Sequence, residues 1–330
     1  MSPEELDRTD PEGAIKATTD RVRNWGRWGE DDVLGTMNFL TDELRRAAAT
    51  LVRTGASYSL SLPFDMDGPQ KGWRRRTNPV HTMLDTGTDA VAGIQGFPHG
   101  LGGADDVIAM PLQCSTQWDG LGHIFDRGHA WNGRPADQVV TSLGDGVTGI
   151  ETVADVISGR GVLLDVGRAV GEDGELPDGF AITEEHLRAT IEAQGPSSAV
   201  GTGDIVLVRT GQLTRARRGV AAGEGWGEYA GGPAPGLSFT TADWLHDTEI
   251  AAIATDTWGF EVRPNEFDVA FQPLHQVAIP NIGLFLGEMW DLDALAEASA
   301  EDGRYDFFLT AGPLRVTGAV GSPVNPIAVR

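Results

Sequence analysis

The sequence has little cysteine, little positive charge and no long apolar run. Its single cysteine among 330 residues, Cys114, excludes an internal disulfide, and nothing indicates an oxidising compartment. With 25 basic against 48 acidic residues, the net charge of −23 argues against nucleic acid and anionic membranes as partners. No apolar stretch approaches the length of a membrane span, and residues 1–20 do not resemble a signal peptide. We therefore expect a cytoplasmic protein that acts on a small molecule.

Several common catalytic motifs are also missing. The sequence contains no P-loop, and no G-x-G-x-x-G opens a helix after a strand. It has no G-x-S-x-G nucleophile elbow, which argues against a serine hydrolase. The candidate chemistry is therefore that of carboxylate, imidazole and amide side chains, with or without a metal.

Buried strands alternate with helices through the second half of the chain. Gly161–Val166, Asp204–Arg209 and Ile250–Ala254 are short apolar runs typical of buried strands. Helices follow the capping residues Thr183 and Thr241. This order predicts an α/β fold. We expect one domain over residues 25–330, preceded by an N-terminal arm over residues 1–24 that docks late or onto a partner subunit.

A long glycine-rich segment, residues 65–106, precedes the polar stretch described next. A loop of that length is usually functional, so we expect a lid or a subunit contact, over either its own site or a neighbour's. His81 lies inside it and is a candidate to reach the site, although a histidine in such a segment is more often a surface residue.

The polar stretch from Gln113 to His123 is the strongest candidate for a site. Five of its eleven residues can ligate a cation or move a proton: Gln113, Cys114, Gln117, Asp119 and His123. In an extended strand Gln113 and Asp119 would lie roughly 20 Å apart, so a single site requires the backbone to bend. The small residues Ser115, Gly120 and Gly122 permit such bending. The alternative is a polar surface loop.

Two further polar residues flank an apolar run near the C-terminus. His275 and Glu288 would need a partner if buried, which a metal or a substrate could supply. Cys114 beside His123 could be a nucleophile, but it follows an apolar strand and can equally be a packed side chain.

The stretch resembles the signature H-x-G-T-H-x-D-x-P-x-H of the cyclase-like metal-dependent hydrolases, which include bacterial kynurenine formamidase and isatin hydrolase. Thr116, Asp119 and His123 match it, whereas Gln113 and Gln117 stand at two histidine positions. Ser115 and Leu121 replace the glycine and the proline. The resemblance extends through residues 203–210 and 253–256, His275, Glu288 and the C-terminal segments 313–314 and 321–326.

The resemblance implies a swivelling β/β/α domain with a mixed sheet and flanking helices, assembled as a homodimer or homotetramer. In that family the first two motif histidines and the aspartate hold a divalent metal, which here places Gln113, Gln117 and Asp119 as metal ligands. His123 corresponds to the acid/base, and His275 and Glu288 to added ligands or proton-transfer groups.

The two glutamines leave two hypotheses. Amide oxygens and a carboxylate suit a hard cation, so manganese is expected rather than zinc. Alternatively no metal binds, the glutamines hydrogen-bond the substrate, and Asp119 orients His123 as a general base. Trp118, Trp131 and Trp258 lie near these motifs and either form an apolar wall for the substrate or pack in the core.

We therefore predict a hydrolase of a C–N or C–O bond, in an amide or lactone, acting on a small cyclic or aromatic substrate. A metal-independent cyclase, dehydratase or isomerase using the same residues is the alternative, and a non-catalytic small-molecule binding protein is a third.

Overall fold

A computed structural model describes residues 5–330, so residues 1–4 of the predicted arm lie outside the described residues. The strands are β1 Ser57–Ser59, β2 Val80–Asp85, β3 Asp105–Ala109, β4 Gln117–Asp119, β5 Val140–Thr141, β6 Gly144–Asp145, β7 Ser158–Asp165, β8 Ala181–Ile182, β9 Ile205–Arg209, β10 Gly236–Leu237, β11 Ala252–Thr255, β12 Phe285–Glu288, β13 Asp306–Thr310, β14 Gly321–Pro323 and β15 Ile327–Val329. The α-helices are α1 Pro11–Val22, α2 Asp42–Ala49, α3 Gly87–Val91, α4 Ala136–Val139, α5 Val166–Val170, α6 Glu184–Gln194, α7 Gln212–Ala221, α8 Ala242–Asp247, α9 Pro273–Val277 and α10 Asp293–Asp302.

A nine-stranded mixed sheet organises the described chain, in the order β1-β15-β13-β7-β9-β11-β12-β4-β14. The central strands β7, β9, β11 and β12 run parallel, and helices connect them. The strands on both sides of this block pair antiparallel. The predicted α/β fold, with a mixed sheet flanked by helices, is confirmed.

Both faces of the central sheet are buried. Val162 and Leu164 face one core cluster with the helices α8 and α9, whereas Leu163 faces a second cluster with Trp118 and Trp290. Alternate side chains of a strand point to opposite faces, so a strand covered on both sides is apolar at nearly every position. This explains why these segments were recognisable in the sequence as uninterrupted apolar runs.

The predicted elements of this half occur close to their expected places. The run Gly161–Val166 lies within β7 apart from its last residue, which begins α5, and the helix expected after Thr183 is α6, which ends before Gly195. The strand expected at Ile250–Ala254 begins two residues later, at Ala252.

The predicted N-terminal arm contains a helix that packs on its own chain. Asp10 caps α1 by accepting a hydrogen bond from the Gly13 amide at 2.9 Å. Ile15 and Val22 are buried in the first core cluster, and α1 contacts α8 and α9. The few apolar residues of this segment are therefore spaced to cover one side of the domain.

The glycine-rich segment holds regular structure that its sequence pattern does not indicate. Strands β2 and β3 pair as an antiparallel hairpin, with α3 between them, and every residue of β3 is exposed. Five large apolar residues of the hairpin are at least 44% exposed: Val80, Met83, Leu84, Val107 and Ile108. Because the described residues cover neither face of the hairpin, the alternation that marks a half-buried strand is absent.

Within residues 5–330, the helices are too short or too polar to cross a bilayer.

Candidate active site

The candidate site is built on the short strand β4, which lies between β12 and β14. Gln117 and Asp119 are two residues apart on this strand, so their side chains point to the same face. Glu288 at the end of β12 is paired directly with Gln117 across the antiparallel ladder. The register therefore brings one amide and two carboxyl groups together, all of them buried.

The side chain of Gln117 connects the two carboxylates. Its Nε2 donates to Asp119 Oδ1 at 3.1 Å and to Glu288 Oε2 at 3.0 Å. Its Oε1 is buried and has no hydrogen-bond partner among the described residues. A buried amide oxygen without a partner is costly, so this atom is a candidate to meet a ligand.

His275 completes the group from the first turn of α9. Its Nδ1 lies 2.6 Å from Glu261 Oε1, and its Nε2 lies 3.2 Å from Glu288 Oε1. Burial opposes a charge here, but the hydrogen bonds to Glu261 and Glu288 outweigh burial and raise the pKa of His275 to about 10. At neutral pH this imidazole is a cation held between two carboxylates.

Glu261 is a site residue that the sequence analysis missed. Besides His275 Nδ1, its carboxylate accepts the backbone N–H groups of Leu274 and His275, at 3.1 and 3.0 Å. It therefore fixes both the ring and the start of α9. The one sequence signal is an acidic residue between the apolar Phe260 and Val262, in a position where burial demands a partner.

His123 lies at the edge of the group and is its most exposed member. Its Nε2 is 3.8 Å from Asp119 Oδ1, and its side chain is 10% exposed against 1–3% for Asp119, His275 and Glu288. Burial lowers the pKa of His123, against the attraction of Asp119. Burial likewise raises the pKa of Asp119, against the attraction of His123. His123 is thus a neutral imidazole at neutral pH, able to accept a proton.

Four other predicted site residues make none of the hydrogen bonds described above. His81 is half-exposed on the hairpin and contacts Asp106 at 2.7 Å. Trp118 points to the opposite face of β4 from Gln117 and Asp119, where it packs on Trp290 in the core. Trp258 lies in a separate buried cluster, and the amide of Gln113 lies beside Gly321, the partner of Asp119 in β14.

Cys114 and Trp131, for which the sequence left a functional and a packing interpretation, are both packed side chains. Cys114 is fully buried, and burial raises the pKa of its thiol to about 11, so it is protonated and unsuited to be a nucleophile. Trp131 is buried in the second core cluster, and its Nε1 donates to Asp32 Oδ2 at 3.0 Å.

The buried group has the composition of a divalent-metal site. One ligand atom each from Asp119, His275 and Glu288 lies within 4.8 Å of the others. Two carboxylates suit a hard cation, and the imidazole joins them once it loses its proton. If the side-chain amide of Gln117 flips, its Oε1 faces the carboxylates and adds an amide oxygen to the possible metal ligands. The residues therefore fit a metal, although their hydrogen bonds satisfy most of the same atoms.

An α/β domain with a buried carboxylate and imidazole group at one side of a mixed sheet defines the class of this protein. Residues 58–262 match the family model "Putative cyclase", and the chain belongs to this cyclase family. A crystal structure described as a novel cyclase has 38% sequence identity and a TM-score of 0.82, covering 94% of this chain and 100% of the other. The family predicted from the sequence is confirmed.

More distant structures share the fold. Isatin hydrolase A from Ralstonia solanacearum has 15% identity and a TM-score of 0.59, with 86% of this chain and 93% of that chain covered. A protein described as a predicted metal-dependent hydrolase, from Bacillus stearothermophilus, has 15% identity and a TM-score of 0.52, with 84% and 98% covered. No curated protein matches the chain.

The raised pKa of His275 leads to a prediction of how the stability of the folded protein depends on pH. In chelator-treated protein, the folded-state pKa of about 10 lies above the ordinary value of 6.5, so the folded state binds this proton more tightly. The resulting stabilisation is complete below pH 6.5 and is lost as the pH rises through about 10. We expect the difference in free energy of unfolding between wild type and His275→Gln, measured with urea, to shrink over this interval.

Two comparisons control this experiment. Glu261→Gln removes the carboxylate on Nδ1 and should lower the pKa of His275 in an NMR titration. His246→Gln removes a partly buried histidine that is paired with Asp247, outside the candidate site, and should leave the difference between wild type and His275→Gln unchanged. A difference between wild type and His275→Gln that stays constant with pH would mean that His275 is not held as a cation.

Proposed function

We propose that the protein is a hydrolase of a C–N or C–O bond, in an amide or lactone of a small cyclic or aromatic substrate. The observation that carries the proposal is the neutral, slightly exposed His123 beside the buried group of Asp119, His275 and Glu288. The names of two relatives that share the fold, isatin hydrolase and a predicted metal-dependent hydrolase, support the reaction class.

His123 is the acid/base of the proposed reaction. Its free imidazole nitrogen takes a proton from water as the water oxygen bonds to the substrate carbonyl carbon. The same proton then passes to the leaving nitrogen or oxygen as its bond to that carbon breaks. Asp119 stabilises the imidazolium that exists between these two steps, because its carboxylate lies 3.8 Å from His123 Nε2.

A divalent metal, with manganese favoured over zinc, belongs to this proposal. Asp119, His275 and Glu288 would hold it, with the amide oxygen of Gln117, and Gln113 stays a predicted ligand. When bound, such an ion polarises the carbonyl and lowers the pKa of water. Amide oxygens are hard, neutral ligands, which supports manganese. Trp258 stays the proposed apolar wall for the substrate, whereas Trp118 and His81 have other partners.

A metal-independent cyclase, dehydratase or isomerase is the second candidate. It is favoured by one arrangement: the amide of Gln117 donates to both Asp119 and Glu288, and the protonated ring of His275 donates through Nδ1 to Glu261 and through Nε2 to Glu288. The N–H groups of Gln117 and the charge of His275 thus lie between carboxylates, as a cation would. In this variant His123 removes a proton from a substrate carbon.

We propose a second copy of the chain as the macromolecular partner, in a homodimer or homotetramer. The exposed apolar face of the β2–β3 hairpin supports this, since exposed apolar patches of this kind mark interaction sites. The net charge of −23 argues against nucleic acid and membrane partners. We also propose a cytoplasmic location. The unpaired, buried thiol of Cys114 supports this location, and cell fractionation tests it.

Replacing His123 tests the proposed acid/base. Against a panel of lactones and N-formyl anilines, His123→Ala should lower kcat/KM by about 10² to 10⁴. Because burial lowers the pKa of His123, the decrease of wild-type kcat/KM on the acid side should have its midpoint below pH 6.5. His246→Ala, at a partly buried histidine outside the candidate site, is the matched control. If wild type binds members of the panel without converting any of them, the result would instead support a binding protein. If His123→Ala changes neither turnover nor binding, the site lies elsewhere in the protein.

Elemental analysis of freshly purified, untagged protein tests the metal. We expect about one equivalent of manganese per chain, with activity lost to a chelator and restored by the metal. Asp119→Asn and Glu288→Gln should lose the metal, whereas Gln117→His should shift preference toward zinc because it supplies an imidazole. Full activity in protein without metal would exclude the metal-dependent hydrolase and leave the metal-independent candidate.

Charges placed on the hairpin test the oligomer. Light scattering should give a dimer or tetramer for wild type and a smaller species for Leu84→Asp combined with Val107→Asp. Both side chains are exposed on the hairpin, at 64% and 47%. Leu143→Asp, at a 96% exposed residue outside the hairpin, is the control and should leave the mass unchanged. A monomeric wild type would contradict this proposal without affecting the chemistry of the site.

A further inference from the structure

Two arginines from separate parts of the chain lie against one tryptophan. The guanidinium carbons of Arg76 and Arg263 are 5.7 and 5.6 Å from the ring centroid of Trp258. Arg263 also lies 5.5 Å from the ring of Trp73, which contacts Trp258 edge-on at 5.1 Å. Cations over aromatic faces are weakly attracted, so the rings hold the guanidinium groups in place without neutralising them.

Neither arginine has an acidic partner among the described residues. No carboxylate of residues 5–330 lies within 4.0 Å of the Arg76 or Arg263 side chain, although the chain has 48 acidic against 25 basic residues. The side chain of Arg263 donates to Gly231 O at 2.7 Å. By contrast, the buried Arg209 contacts both Asp165 and Asp293.

Both arginines are partly buried, which makes the missing partner significant. Burial lowers the pKa of Arg263, against the attraction of Glu261 and Glu288. A guanidinium group has donors that prefer a planar pair of acceptor oxygens, as a carboxylate supplies. The half-buried guanidinium groups of Arg76 and Arg263, which have no carboxylate within 4.0 Å in the described chain, therefore have donors available for the carboxylate of a ligand.

This cluster adjoins the candidate active site. Arg263, Phe271 and Gln272 line a cavity of about 270 Å³ that also reaches Glu261. Gln272 Nε2 lies 3.4 Å from His275 Nε2, and the buried Oε1 of Gln272 has no partner among the described residues.

Arg76 also lies near the candidate site. Its positive charge acts on both Asp119 and His123, lowering the pKa of each after the larger effects of burial and of their mutual attraction. A hydrogen bond from Trp258 Nε1 to Gln70 Oε1 at 3.3 Å, and one from Gln70 Nε2 to Cys114 O at 2.7 Å, tie the aromatic ring to the segment before β4. The cluster is therefore fixed relative to His123.

We infer that Arg76 and Arg263 form an anion-binding subsite beside Trp258, and that its ligand is an aromatic carboxylate. The arginines bind the carboxylate, and the rings of Trp258 and Trp73 contact the apolar body of the ligand. The inference rests on the proposed function only in identifying this ligand with a substrate or product. A carboxylate can belong to the intact substrate or be released by hydrolysis, and both share this chemistry.

Calorimetry with benzoate on chelator-treated protein tests the subsite without turnover. Benzoate should bind, and benzamide, which has the same shape without the charge, should bind about tenfold or more weakly. Arg76→Gln and Arg263→Gln should each weaken benzoate binding about tenfold and leave benzamide unchanged. Raising the salt concentration should weaken benzoate binding in wild type only.

Two controls keep this test specific. Arg23→Gln removes an arginine that also lies over a tryptophan, 4.4 Å from the Trp25 ring, and should bind benzoate as wild type does. Arg76→Gln removes no side-chain hydrogen bond seen in the described chain, so it remains informative if Arg263→Gln fails to fold through loss of its contact with Gly231. Equal binding of benzoate and benzamide, or variants that bind like wild type, would overturn the inference and show that the arginines only offset nearby buried carboxylates.

Turnover identifies the source of the carboxylate. If the substrate carries it, 3-formamidobenzoate should have a lower KM than formanilide, and Arg76→Gln should remove that difference. If hydrolysis releases it, the two KM values should agree, and benzoate should inhibit wild type more strongly than Arg76→Gln. Failure of all turnover would count against the proposed hydrolase, while the calorimetric result would still decide the subsite.

Discussion

The burial of three carboxyl groups around one imidazole is the constraint on which this structure depends. Moving a carboxylate out of water costs several kcal/mol unless it is paired and hydrogen-bonded. Asp119, Glu261 and Glu288 are each nearly inaccessible, so each needs donors from the protein. His275 supplies one to Glu261 and one to Glu288, the Gln117 amide supplies one each to Asp119 and Glu288, and backbone N–H groups supply the rest. Among the described residues, Gln117 Nε2 is the only hydrogen-bond donor to Asp119, so its removal leaves that carboxylate without one.

The pairing of the strands positions the side chains of this buried group. Strand β4 enters antiparallel beside β12, which places Gln117 opposite Glu288 and leaves Asp119 on the same face. Behind it, Trp118 and Trp290 pack so closely that a Cβ on Gly287 would lie 2.9 Å from the Trp118 ring and 2.4 Å from Ala254 Cβ. The absence of a side chain at Gly287 lets the core close behind the site while Glu288 keeps its orientation. Packing on one face of the sheet and chemistry on the other are therefore set by the same few residues.

The sequence predicted the parts of this arrangement that have a local cause. Apolar strands such as Ile205–Arg209 are recognisable because they are buried on both faces, and the stretch ending in His123 is recognisable by its family pattern. Glu261 was not predicted, because its role depends on a contact with His275 fourteen residues later, through a turn that has no periodic pattern. The hairpin was not predicted because no part of the chain within residues 5–330 buries its two strands. The position of Trp118 was accessible in principle: alternation along a strand places it opposite Gln117 and Asp119.

Gln117 stands at a histidine position of the signature that this stretch resembles, and the amide has a specific physical consequence there. An imidazole offers a metal one lone pair, whereas an amide offers either a donor or an acceptor, depending on which end faces the carboxylates. With Nε2 facing them, Gln117 makes two charge-assisted hydrogen bonds, and its oxygen has no partner among the described residues. With the oxygen facing them, the same side chain becomes a metal ligand and both hydrogen bonds are lost. Cation binding at this amide would therefore cost both hydrogen bonds, which satisfy the two carboxylates as long as Nε2 faces them.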